Sequence, residues 1–98
     1  MDKTYINLRK ELRRVVHMAE TFEKRSTLIT IIRKKIICDS LHLYIDVKKE
    51  NKVVKEMLDY FNGLGFEKEI ENNEIVFRKE YDEEKEYDTS YTILIRFC

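Results

Sequence analysis

Apolar residues recur along this chain with two different periods, and the change of period divides it into elements. Over residues 2 to about 24 the spacing is helical. Placed at 100° steps, Tyr5, Leu8, Leu12, Val15, Val16, Ala19 and Phe22 fall in one arc of about 120°. Arg9, Lys10, Arg13, Arg14, His17 and Lys24 fall on the opposite side, and only Ile6 and Met18 stray. Asp2 stands where an N-cap is expected. Residues 41 to 47 alternate instead. Leu41, Leu43, Ile45 and Val47 are interleaved with His42, Tyr44 and Asp46, the pattern of a half-buried strand. Residues 49 to 62 return to the helical period, with Val53, Val54, Met57, Leu58 and Phe61 as the apolar face. Asn62-Gly63 followed by Leu64-Gly65 reads as the stop of that helix, because glycine enters the left-handed conformation at no steric cost.

Residues 27 to 38 admit two readings. Their β-branched richness favours a strand that ends at a turn over Asp39-Ser40. A helix capped by Ser26, with Ile29, Ile32 and Ile36 on one face, has the same periodicity. Further on, 66 to 71 and 74 to 80 read as strands flanking Asn72-Asn73, a two-residue hairpin turn that suits asparagine's tolerance of positive φ. Residues 81 to 88 form an acidic connection. Residues 90 to 97 close the chain as a strand with Tyr91, Ile93, Ile95 and Phe97 on one side. The pattern predicts a single α+β domain over 1–98. Its N-terminal amphipathic helix and second helix pack on one face of a mainly antiparallel sheet of four to five strands.

Composition supports a folded body. The chain has 98 residues, 43 % of them hydrophobic, with no proline and two glycines, and shows no linker-like stretch. A chain of this length buries roughly 65 % of its unfolded surface, enough for one modest core. No apolar run approaches the roughly 20 residues that span a bilayer. The charged start shows no signal peptide, so the expected location is intracellular and no membrane partner is expected. Cys38 and Cys98 then read as free thiols.

The formal net charge is zero, but it conceals a split. Met1 to Cys38 carries ten Lys/Arg against four Asp/Glu, and Asp39 to Cys98 carries nine against fifteen. Such asymmetry points to a partner chosen electrostatically.

Catalytic chemistry finds little support. His17, Cys38, His42 and Cys98 are the only histidines and cysteines, and none of their spacings is that of a zinc site. Gly63-Leu-Gly65 follows a helix rather than opening one, the wrong order for a phosphate loop. No catalytic motif is present, so no catalytic residue, cofactor or metal is expected and the chain reads as a non-enzyme.

Two surfaces remain as candidates. The first is an acidic strand surface, made of Glu67, Glu69 and Glu71 together with Tyr81, Asp82, Glu83, Glu84, Glu86, Tyr87 and Asp88. It could steer onto a basic protein and compete for a nucleic-acid groove, with the two tyrosines as anchors. Solubility and the protection of a sheet edge would produce the same residues. The second is the basic helix, where Arg9, Lys10, Arg13 and Arg14, with Lys24 and Arg25 beyond, could bind nucleic-acid phosphates. The pI of about 6.7 speaks against a dedicated nucleic-acid binder. Near-heptad spacing on the first helix, and the match of a basic half with an acidic half, also make a homodimer an expectation. The size, composition and missing catalytic signal look like those of small virus or mobile-element accessory proteins, a likeness of texture that no single residue carries. The expected function is therefore a non-enzymatic protein-binding module that inhibits a nucleic-acid-handling complex through its acidic strands. A nucleic-acid-binding regulator using the basic helix is the alternative.

Overall fold

The computed structural model describes residues 3–37, 40–80 and 90–98, with side chains from Lys10 onward apart from that of Glu80. Its elements run in the order α1 (Lys3–Arg25), β1 (Ile29–Ile37), β2 (Ser40–Val47), α2 (Lys52–Gly63), β3 (Glu67–Glu71), β4 (Glu74–Glu80) and β5 (Ser90–Phe97). The fold is α+β, with both helices packed on one five-stranded sheet. Within the ambiguous segment, Ile29–Ile37 is a strand. Ser26, the candidate helix cap, is buried; its hydroxyl accepts the Leu28 N–H at 3.2 Å and the Asn51 side-chain amide at 3.2 Å. The chain leaves that turn extended. Asp2, Cys38, Asp39 and the acidic connection 81 to 88 lie outside the described residues.

The strand order is β1-β2-β5-β4-β3. Pairing is antiparallel for β1 with β2, β3 with β4 and β4 with β5, and parallel for β2 with β5. The sheet is therefore mixed, for a topological reason. A parallel neighbour needs a long crossover, and α2 supplies it by carrying the chain from β2 to the far edge. β3 starts there, β4 returns beside it, and β5 fills the gap between β4 and β2. The turn between β3 and β4 falls on Asn72-Asn73 as the pattern predicts, with Asn72 at φ 47°.

Burial alternates along β2, where Leu41, Leu43, Ile45 and Val47 are enclosed and the residues between them are half-buried. Tyr91, Ile93 and Ile95 of β5 and Phe77 of β4 lie on the same face. They meet Leu12, Val15, Ala19 and Phe22 of α1 and Val54, Met57 and Phe61 of α2 in one core. The rings of Phe61 and Phe77 sit 5.8 Å apart in a tilted arrangement. Asn51 caps α2, its side-chain oxygen accepting the Val54 N–H at 2.9 Å. The left-handed residue after α2 is Gly65, at φ 75°. The last strand is fastened at its end by the Cys98 N–H, which donates to the Val47 carbonyl at 2.9 Å.

Phe77 touches both the sheet and α2 and has no exposed surface. Phe77→Ala is expected to cost about 4 kcal/mol, through lost transfer energy and the cavity left behind. The midpoint of urea unfolding measures the loss.

Candidate protein-binding edges of the sheet

With both helices on one side, no described element covers the other face of the sheet. The pairing register lays residues across it in rows. One row reads Arg33, Tyr44, Leu94, Val76 and Glu69 from β1 to β3. The next reads Lys35, His42, Thr92, Arg78 and Glu67, and the third reads Thr30, Asp46, Arg96, Glu74 and Glu71. The charge split of the sequence thus becomes a gradient across this face, basic at β1 and acidic at β3. Between the edges the signs pair locally. Arg96 makes a two-pronged contact with Asp46, at 3.2 Å from Nε and 3.1 Å from the terminal nitrogen. The Asp46 hydrogen bonds hold the Arg96 guanidinium above its ordinary pKa, its charge adds to this, and slight desolvation opposes it. Arg33 lies over the Tyr44 ring at 5.9 Å, and on the acidic edge itself Glu69 lies 4.0 Å from Arg78.

At the acidic edge every residue of β3 is exposed. Glu67, Glu69 and Glu71 share the open face. Ile70, on the opposite side of the strand, is 67 % exposed. These three glutamates are the predicted acidic residues that the structure brings together. Tyr81, Asp82, Glu83, Glu84, Glu86, Tyr87 and Asp88 lie outside the described residues. At the basic edge, β1 bulges between Ile31 and Arg33, and Ile32, Ile36 and Ile37 stand 56 %, 49 % and 45 % exposed beside Arg33, Lys34 and Lys35. Sequence reasoning missed this edge. The available signal was the Arg-Lys-Lys run inside an apolar strand, since inward-pointing charge marks an edge.

The helix supplies a third surface. Its described carboxylates all turn toward the sheet. Glu11 pairs with Lys79 at 3.6 Å, Glu20 pairs with Lys34 at 3.2 Å, and a Glu23 carboxylate oxygen accepts the Ile31 N–H at 2.6 Å. Lys10, Arg13, Arg14, His17 and Lys24 are left exposed on the outer side. Arg25 is drawn away to Glu56 of α2 at 2.8 Å, and the side chain of Arg9 lies outside the described residues. Lys24 stands roughly 15 Å along the axis from Arg14, at 1.5 Å rise per residue, so the predicted set divides into a cluster and an outlier.

Lys10, Glu11, Arg14, Val15, Tyr60 and Leu64 line a hollow between the two helices. The Tyr60 hydroxyl is buried there without a hydrogen-bond partner among the described residues. Burial pushes its pKa up, Arg14 opposes the rise and Glu11 adds to it. Among the described residues no three His, Cys, Asp or Glu side chains converge as metal ligands, and Cys98 is an exposed free thiol. No described helix is long and apolar enough to cross a membrane. Comparison with protein-family models, with curated proteins and with solved structures finds no match to this chain.

The Tyr60 environment has a testable consequence. The unfolded chain gives up this proton at the ordinary tyrosine pKa of 10.0, and the folded chain gives it up higher. Its contribution to stability is therefore complete below that pH and is lost as pH rises through the folded value. Tyr60→Phe is expected to unfold at the same or a higher urea concentration at neutral pH. It should also lose less stability than the wild type on going to alkaline pH, as urea titrations at the two pH values will report.

Proposed function

We propose that this protein is a non-enzymatic protein-binding module that docks through its acidic edge strand. The observation that carries the reading is β3 itself. It is an edge strand with three glutamates on one face, exposed along its whole length and accompanied by an exposed isoleucine. An edge of this kind offers unpaired main-chain groups for strand addition, carboxylates for steering, and an apolar side chain for contact. The partner it suits presents a basic surface. In its sharpest form the protein inhibits a nucleic-acid-handling complex by occupying the groove that would hold phosphates.

Charge reversal tests the proposal. Glu67→Lys, Glu69→Lys and Glu71→Lys in one chain should abolish capture of the partner that the wild type retains from nuclease-treated lysate, while circular dichroism shows the fold intact. Unchanged capture would discard the acidic edge.

One observation favours a second reading. The carboxylates of α1 contact groups of the sheet, and among the described residues no ion pair is formed by the stripe of Lys10, Arg13 and Arg14 on the exposed side of the helix. That stripe suits the phosphates of a nucleic acid. On this reading, electrophoretic shift of DNA or RNA at low salt weakens steeply as salt rises, with log–log slope of about −0.9 per phosphate engaged on duplex DNA. Arg13→Glu with Arg14→Glu then removes the shift. No shift of either nucleic acid at low salt would exclude it.

A further inference from the structure

We infer that the two edges of this sheet are complementary to each other, so that a second copy of the chain docks head to tail: the Glu67–Glu71 edge of one molecule pairs with the Arg33–Ile37 edge of the next. The inference rests on the reading of β3 as a docking edge and names its occupant.

Three features agree on it. The first is length. The Ile31 N–H on β1 is taken by Glu23, and the bulge follows, so the regular stretch of β1 beyond it is Arg33–Ile37. Both that stretch and Glu67–Glu71 are five residues long. The second is direction. β1 runs antiparallel to β2, whereas β3 runs in the same sense as β2 and β5. Continuing the sheet into another copy therefore sets β3 antiparallel to β1, the slightly more stable pairing per residue.

The third is side-chain chemistry. Full overlap of the two stretches puts Arg33 opposite Glu71 and Lys35 opposite Glu69 on the open face. On the helix side Ile36 and Ile70, exposed in the single molecule, become diagonal neighbours. The alternatives are disfavoured by charge: β1 against β1 faces Lys35 with Lys35, and β3 against β3 faces Glu69 with Glu69. Charged edges ordinarily keep chains apart by repelling copies of themselves. Here each edge repels itself and attracts the other. The contact is heterologous and does not close on a two-fold axis, so it grows by adding copies.

Sedimentation velocity of the full chain across a dilution series, at low and high salt, is the test. The wild type should show an average mass above that of the monomer that rises with concentration and falls as salt screens the edges. Arg33→Glu with Lys35→Glu, and separately Glu69→Lys with Glu71→Lys, should each weaken association by about tenfold. An equimolar mixture of the two variants should recover it, because each then offers the other an opposite edge. Hydrogen exchange on the wild type asks the same question without a variant: protection that rises with concentration should localise to Arg33–Ile37 and Glu67–Glu71. A wild type that stays monomeric at low salt, folded variants that associate undiminished, a mixture that stays monomeric, or protection elsewhere would each overturn the inference. A monomeric wild type whose foreign capture still depends on Glu67, Glu69 and Glu71 would overturn the second copy alone. Self-association without any such capture would overturn the foreign partner alone.

Discussion

The insertion of β5 between β2 and β4 is the constraint on which the rest of the structure depends. Tyr91, Ile93 and Ile95 carry no exposed surface, and they join the side chains under α1 to those under α2. The same strand completes the main-chain pairing of two neighbours that would otherwise be edges. Because β5 comes last and takes the centre, β1 and β3 are left outermost. Their exposure follows from where the final strand goes, rather than from anything local to either of them.

That placement turns a charge split along the chain into a polarity across the sheet. The basic residues of β1 and the acidic residues of β3 are separated by three strands on which opposite charges pair locally, as Asp46 does with Arg96. Exposed pairs of this kind add little to stability, because water screens them. On the proposed readings their consequence is for recognition: they quiet the middle of the open face and leave each edge to present its own sign. The helix reinforces the contrast. Its carboxylates reach down to Lys79, Lys34 and the Ile31 N–H, so among the described residues the exposed side of α1 carries cations with no carboxylate of the helix turned toward them.

The functional readings differ in which of these surfaces they use, and all need the same polarity. An acidic edge seeks a basic partner, a cationic helix seeks phosphates, and two opposite edges on one body can satisfy each other. The exposed isoleucines distinguish the edges from the helix stripe. Ile32, Ile36, Ile37 and Ile70 belong to strands that already have one neighbour each, and a further strand would cover them.

Period and composition alone determined the two helices, the strand at 41 to 47, the hairpin about Asn72-Asn73 and the α+β class. Each of these is decided by side chains within a few residues of one another, through alternation, the 100° step or a capping residue. The segment 27 to 38 was ambiguous because short β-branched apolar runs suit a strand and a buried helix alike; packing against β2 resolved it. Glu67, Glu69 and Glu71 were legible as one face of a strand. Protection of a sheet edge was one reading of them, and β3 is an edge; that Arg33 and Lys35 form the opposite one was not legible. Strand order is fixed by contacts between residues far apart in the chain, and only the tertiary structure brings β5 between β2 and β4.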